Sequence, residues 1–484
     1  MKNIMRFGVV GSILLVSLTM GACSHYLDEP YDNRVELQSV QDYRALLSQA
    51  YPERQDLFTD ILTDDYHHYA NTMQASLTST YVPLYLWQDH YTEGRATPSA
   101  AYAHYYEKIY LANTVIEEVM ACVGDEEVKQ VLLGEAYVVR AYAYFTLVNL
   151  FGMHYNPQTA SSDLGVPLVL EVPTANKPTF SRSTVAEVYG QITADIERGL
   201  AFFLQHPTLV SSNPYHFNLS STYAFLCRLH LYRSDWEEAV KYGDLALSES
   251  GGEVRDLATD LKQWTSYGVA YFAQEFMNPS THRNILLASQ SDVFLTRPTG
   301  FRLSGFYPSH SLYYTFPKDD LRYRLFSAGG TVIDSITNYV KYAQQPNQPN
   351  VSVSRYDCFT VEEVLLNRAE ALMQQATPDR GQAIESVEKI RRLRISPYAA
   401  QKTDKWSDSQ LLDWIYAERR KELLGQGMRW FDIKRWRLPV AHRLMRASTR
   451  PDAVLTADDR RKALQIPISA RIGNPVLENQ LNPR

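Results

Sequence analysis

Apolar residues recur at helical spacing through the first half of the chain, from about Ser39 to Ala258. Between positions 131 and 151, Leu132, Ala136, Val139, Ala143, Leu147 and Leu150 stand three or four apart and form one stripe along one helix face. Gly152 follows the last turn and can stop that helix. Thr184-Val-Ala-Glu187 has capping-box spacing, in which each side chain satisfies the other's free backbone N–H, and it predicts a helix running to about Phe203. Tyr223–Arg233, the turn Ser234-Asp235 and Trp236–Leu247 read as a helix hairpin. A second hairpin follows another capping-box spacing, Thr360-Val-Glu-Glu363. Leu365, Leu366, Ala369, Leu372 and Met373 line its first helix, and Ala383, Val387 and Ile390 its second.

Between roughly 259 and 355 the helical pattern breaks, and Pro279, Pro298, Pro308, Pro317, Pro346 and Pro349 punctuate a stretch rich in aromatics. Asn284–Ala288 and Tyr339–Tyr342 are short apolar runs suited to strands or extended loops. A long irregular segment inside a compact domain is uncommon and is often functional. The tail from Leu464 reads as extended and proline-bounded. The fold class expected is therefore mainly α, with an irregular, loop-rich face. Hairpins of about 30 residues with alanine at the crossings have the period of degenerate tetratricopeptide repeats, although a plain antiparallel bundle gives the same stripes.

The N-terminus adds a destination. Lys2 and Arg6 precede an apolar run from Phe7 to Met20, and Met20-Gly21-Ala22 leads into Cys23. That is a secretory signal ending in small residues before a cysteine, so residues 1–22 are expected to be removed and Cys23 to carry lipid. Loss of Lys2 and Arg6 would take the formal charge from -6 to -8, and nothing suggests the clustered basic surface of a nucleic-acid binder. No later stretch reads as long and apolar enough to span a membrane. Residues 23–484 are expected to form one domain: a helical part to about 258, an irregular insert over 259–355 and a second helical part over 356–484. Cys122, Cys227 and Cys358 have neither CxxC spacing nor an even count, which points to buried, unreactive thiols.

Several motifs in order resemble one family. Glu418-Arg-Arg-Lys-Glu-Leu-Leu-Gly425-Gln-Gly427-Met-Arg429-Trp430-Phe431-Asp432-Ile-Lys-Arg435-Trp436 is similar to the ERRxEL…G.RWFDxxRW pattern of the SusD/RagB outer-membrane nutrient-binding lipoproteins. The helix through Arg368, Glu370 and Ala371, the Ile390-Arg391 pair, Tyr106–Asn113, Arg140-Ala141 with Tyr144-Phe145, Leu164-Gly-Val-Pro-Leu168 and Ile466-Pro-Ile-Ser469 match further elements of that family. The resemblance implies a helical scaffold of four tetratricopeptide-like hairpins and a looped face holding the ligand. It also implies a lid over a TonB-dependent, SusC-like transporter of the outer membrane. Oligosaccharide is the implied ligand, with peptide (a RagB-like importer) or a pure protein scaffold as the alternatives. No cofactor is implied. The residues themselves read the strongest motif as structural. Leu412, Ile415, Tyr416 and Leu423 share a helix face with Arg419, whose buried guanidinium needs Glu370 or Asp432 as partner. Gly425 and Gly427 end the helix, and Trp430-Phe431 pack back onto it.

Sugar rings offer apolar C–H faces and a rim of hydroxyls, which aromatic faces with carboxylates, amides or Arg complement. Tyr occurs 33 times and Trp 7 times, and two aromatic segments lie outside the helical stripes. The first runs from Asp64, Asp65, Tyr66, His67 and His68 through Tyr85, Trp87 and Tyr91; the second holds Trp264, Tyr267, Tyr271 and Phe272, with Tyr307, Tyr313 and Tyr314 beyond. Trp87, Tyr85, Tyr66, Asp65, Trp264, Tyr271 and Tyr313 are the candidate ligand contacts, on the expectation that these segments are exposed. His67-His68 lacks the partners of a metal site and reads as solvated loop histidines. Acid pairs such as Asp64-Asp65 and Asp319-Asp320 are sequence neighbours, which do not face one another across a scissile bond, so no enzyme is expected. Asp320 and Arg322 read as an ion pair at a turn.

Overall fold

The computed structural model describes residues 37–68, 80–174, 179–267, 275–291, 306–327, 338–339, 354–444 and 450–484. The chain divides into a unit over Met1–Ser39 and a unit over Val40–Arg484. Of the first unit only residues 37–39 are described, so the signal segment and Cys23 lie outside the described residues.

Four helix pairs form the body of the second unit: α1 (Val40–Ala50) with α3 (Pro98–Glu118), α4 (Glu126–Phe151) with α5 (Val185–Gln205), α6 (Leu219–Tyr232) with α7 (Trp236–Ser250), and α10 (Val361–Gln374) with α11 (Arg380–Arg391). Neighbouring pairs touch in order, α3 on α4, α5 on α6 and α7 on α10, which is the side-by-side stacking expected of the repeat pattern. Among the described residues, α2 (Tyr81–Tyr85), α8 (Leu257–Tyr267), α9 (His310–Tyr313) and α12 (Asp408–Glu422) stand outside the pairs. They are followed by α13 (Met428–Arg435) and by α14 (Ile468–Gly473) in the tail expected to be extended. The strands are short and antiparallel: β1 (Tyr66–His68) with β3 (Phe306–Pro308), β2 (Ile285–Ser291) with β6 (Ser354–Thr360), β4 (Phe326–Ser327) with β5 (Asn338–Tyr339), and β7 (Val440–His442) with β8 (Ala453–Leu455).

The caps follow the sequence with one exception. Thr184 and Glu187 complete the expected capping box at α5. Thr360 receives the Glu363 amide, but the Glu363 carboxylate does not return to the Thr360 backbone; it takes the buried Arg228 instead, at 2.6 Å through Nε. A charged hydrogen bond in the interior outweighs a second cap bond.

α4 carries the apolar stripe read from the sequence, but its other faces are buried too, from Val131 to Phe151. Its length and apolar character would allow a membrane crossing, contrary to the sequence expectation, because Ala, Val and Leu dilute its few charges. Here it is enclosed by α3 and α5. α4 and α5 come closest at Gly134 and Gly199. A Cβ on Gly199 would stand 2.5 Å from both the Gly134 carbonyl oxygen and a methyl of Val138. Gly199→Ala is therefore expected to cost about 1–3 kcal/mol by overpacking, against the roughly 1 kcal/mol that alanine normally gains over glycine inside a helix. A urea titration that shows stabilisation would mean the two helices separate freely.

The family-like motifs scattered through the N-terminal half meet at one place. Arg140 on α4 forks onto Asp195 of α5 at 2.8 Å and reaches the Leu170 carbonyl, while Asn113 of α3 bonds the Val169 carbonyl at 2.9 Å. Tyr144 exchanges two hydrogen bonds with Val169, through its hydroxyl and the Val169 amide. Tyr106 of α3 bonds the Pro167 carbonyl at 2.8 Å, so the Leu164–Leu168 strap and the two residues after it are pinned across the α3–α4–α5 packing. Cys122, Cys227 and Cys358 are free and buried, as expected.

Candidate ligand-binding face

The non-helical face is organised by charge. The run Glu418–Glu422 at the end of α12 sends its side chains to different parts of the molecule. Glu418 receives Arg322 at 2.7 Å and Arg391 at 3.2 Å, Arg419 reaches Asp432 at 2.9 Å, Arg420 reaches Asp65 at 2.6 Å, and Glu422 receives Arg322 and Arg394 at 3.0 and 2.7 Å. Arg419 is fully buried, and of the two carboxylates the sequence allowed it, Asp432 is the partner. Glu370 instead receives Arg435 at 2.8 Å and the Trp436 indole at 3.1 Å. Trp430 is buried without contact with the exterior. Asp320 and Arg322 do pair at a turn, and Arg322 goes on into the buried network.

The turn after α12 clamps the segment leading to β1. Arg54 bonds the Gln426 carbonyl at 2.7 Å, and the Gly427 amide bonds Asp60 at 3.1 Å. Gly427 has a left-handed φ of 70°, and a Cβ there would stand 2.9 Å from the Arg54 guanidinium, so glycine alone fits. Beyond the clamp, Asp64 lies under Arg429 at 2.8 Å and Arg420 at 3.0 Å. Burial works to raise the Asp64 pKa, but Arg429 and Arg420 together outweigh it and hold the carboxyl below its ordinary value.

β1 then pairs with β3, with Tyr66 opposite Pro308, His67 opposite Tyr307 and His68 opposite Phe306. The two aromatic segments singled out in the sequence are thereby joined. Ser309 ties them further: its amide donates to the Asp65 carbonyl at 2.7 Å and its hydroxyl to the Asp64 carbonyl at 2.9 Å. α9 starts from this anchor and presents Tyr313 and Tyr314. Tyr314 is 73 % exposed, Tyr313 is half-buried, and their rings stand 5.5 Å apart at 71°. Tyr323 lies 5.1 Å from Tyr313 and the two hydroxyls are hydrogen-bonded. Buried Phe326 and Phe316 support them from below, Phe326 edge-on to Tyr313 at 5.3 Å.

Several expected contacts turn out to be interior. Trp87 is 5 % exposed, donates its indole N–H to the Leu62 carbonyl at 3.1 Å and stacks on His442 at 4.1 Å. Tyr85 covers the other side of the same imidazole at 3.9 Å. Tyr66, Asp65 and His68 are buried as well, His68 against Phe306, which also corrects the reading of His68 as a solvated loop residue. The physical reason is that the segment outside the helical stripes has a small core of its own, centred on His442 from the far end of the chain. Among the expected contacts within the described residues, Tyr313 alone is placed in a half-open aromatic group. Trp264 is half-buried on α8, the helix that packs against the Leu321–Leu325 turn carrying Tyr323. Tyr271 and Phe272 lie outside the described residues. Tyr323 has no signal in the sequence beyond the Asp320–Arg322 ion pair beside it, and the ion pairs of Asp64 with Arg420 and Arg429 join residues too far apart in the chain to leave a local pattern. No group of His, Cys, Asp and Glu suited to a metal occurs among the described residues.

Comparison with known proteins decides the family. Residues 25–231 match a SusD-like family described as starch-binding and associating with the outer membrane, and residues 313–476 match the SusD family. The chain belongs to the SusD/RagB family. A SusD-like protein of Formosa agariphila is 27 % identical over 404 residues, 71 % of this chain and 73 % of that one. A SusD superfamily protein from Bacteroides thetaiotaomicron has the same fold, with a TM-score of 0.72 at 20 % identity over 92 % of this chain and all of that one. A SusD-like carbohydrate-binding protein from Bacteroides vulgatus gives 0.71 at 17 % identity, covering 92 % and 98 % of the two chains. The helix pairs, the pinned strap and the charged hub of α12 are thus the scaffold of a SusD/RagB protein. The tyrosine group stands on that scaffold's non-helical side.

Proposed function

We propose that this SusD/RagB protein binds oligosaccharides without cleaving them and passes them to a TonB-dependent, SusC-like transporter. Lipid on Cys23 would hold it at the outer membrane, facing outward. The observation that carries the reading is the Tyr313–Tyr314–Tyr323 group beside the Asp64–Arg420–Arg429 cluster. Rings set at an angle suit successive sugar faces, and the support from Phe316 and Phe326 fixes them before ligand arrives, so little ordering entropy is lost on binding. The descriptions of the family as starch-binding and of one structural relative as carbohydrate-binding point to the same ligand class. A tethered binder raises the effective ligand concentration at the transporter mouth.

Titration calorimetry against a panel of oligosaccharides, with product analysis for released reducing ends, tests this. Tyr314→Ala is expected to weaken binding about tenfold, which is about 1.4 kcal/mol, while thermal stability stays within about 0.5 kcal/mol because the ring is exposed. Binding unaffected by loss of Tyr314 and Tyr313 together would refute the site. Turnover by the purified protein would refute the non-catalytic role.

A further inference from the structure

One cavity shares no residue with the tyrosine group. It has a volume of about 420 Å³, within the range of about 300–1,000 Å³ that small-molecule sites occupy. It lies between the end of α1, α3, the turn before α6 and β2, and its wall includes Tyr51, Lys108, Tyr215, His216, Gln49 and Ser289.

Two of these side chains are locked by one carboxylate. The Tyr51 hydroxyl donates to Glu135 at 2.6 Å, and His216 Nδ1 lies 2.6 Å from the same oxygen. The Glu135 side chain is only 7 % exposed. A carboxylate accepts and cannot donate, so His216 turns a protonated Nδ1 to Glu135, which fixes the ring and leaves Nε2 as its polar atom for a ligand. The Phe217 amide donates to the Tyr51 hydroxyl at 2.6 Å, which fixes that ring from a second side, and the Tyr51 and His216 rings meet edge to face at 5.1 Å. Lys108 also lines the cavity; its side chain is 13 % exposed, and its nearest carboxylate, on Glu107, stands 4.0 Å away. Among the described residues its ammonium makes no hydrogen bond. The stem of Lys108 is covered while its ammonium stays accessible, so the charge is held at the cavity wall with its donors open to a ligand. The wall therefore offers an ammonium with free donors, a fixed imidazole, an amide and tyrosine rings around one open cavity.

We propose that this cavity is a second saccharide site, taking a mono- or disaccharide whose ring lies against Tyr51 and Tyr215 and whose oxygens meet Lys108 and His216. The ligand class rests on the saccharide reading above; the site does not. Lys108 provides a donor for a hydroxyl or for the carboxylate of a uronic acid, and neutral and acidic sugars separate these two.

Maltose, cellobiose and digalacturonate are the probes, titrated by calorimetry and saturation-transfer NMR into the mature full chain. In a Tyr313→Ala/Tyr314→Ala protein at least one of them is expected to bind with one-to-one stoichiometry. Adding Lys108→Met or His216→Ala is expected to weaken that binding at least tenfold. Lys108→Met is the safer variant, since the ammonium contributes no hydrogen bond to the fold, and an unchanged melting curve would verify that. If none of the three sugars binds, or if both cavity variants bind them as well as the parent does, the second site is refuted. Long oligosaccharides that still depend on Tyr313 and Tyr314 would then leave the proposed function intact. Conversely, short sugars held by Lys108 and His216 in a protein indifferent to Tyr314 would refute the tyrosine site alone.

Discussion

Replacing Arg419 by alanine is expected to destabilise the protein by about 3–5 kcal/mol, the usual result of removing one partner from a buried ion pair. Arg419 has no exposed surface, and its guanidinium bonds Asp432 through Nε and the Asn367 side-chain oxygen through Nη1 at 2.6 Å. Without it Asp432 stays buried, with Arg435 at 2.9 Å as its remaining cation, and Asn367 loses its donor. Arg435 is also held by Glu370, so the loss spreads from α12 through α13 to α10. The urea midpoint of the variant should fall while the slope of the transition stays the same, because the same surface is exposed on unfolding. Full retention of stability would show that water reaches Asp432 and that the network is looser than its distances suggest.

Helix periodicity placed Arg419 on an apolar face, which required a buried counter-charge, but it offered Glu370 and Asp432 equally. Choosing between them depends on how α10, α12 and α13 cross, and a stripe on one helix carries no information about crossing angles. The helices themselves were legible because each buries a face that repeats every three to four residues, and their ends because Thr184, Gly152 and Ser234-Asp235 mark them by local chemistry.

The aromatic face was legible in part for the opposite reason. Trp87 and Tyr85 looked exposed because no helical stripe claims them, yet they enclose His442, some 350 residues away in sequence on β7. Contacts of that span leave no local pattern. Tyr313 and Tyr314 looked alike in the sequence, and the Ser309 anchor on the Asp64-Asp65 turn is what brings them to the surface together. The same anchor links ligand face and scaffold. Asp64 and Asp65 hold Ser309 through their carbonyls while their carboxylates are held by Arg420 and Arg429. The charged run of α12 therefore acts on the candidate site through position, with no contact to ligand required.

The same run should give the protein an acid limit, and Glu418 is its sharpest element. Burial alone would raise the Glu418 pKa, but Arg322 and Lys421 overcome that and draw it from 4.5 down to about 2. A carboxyl whose folded value lies below its unfolded value binds fewer protons in the native state between those two limits. Its contribution is therefore complete above about pH 4.5 and is lost as the pH falls toward 2. Asp432 and Asp64 are also lowered and act in the same direction. Asp60 opposes them: burial and the nearby Asp65 raise it to about 8, so its contribution favours acid and declines as the pH climbs from 3.8. A Glu418→Gln variant isolates the Glu418 component. The stability difference between the native protein and this variant is expected to be greatest near pH 6 and to shrink by on the order of 3 kcal/mol by pH 2. Urea midpoints taken at intervals across that range would trace it. A difference that stays constant with pH would mean that Arg322 and Lys421 do not favour the ionised form of Glu418, and that Glu418 acts there only by shape.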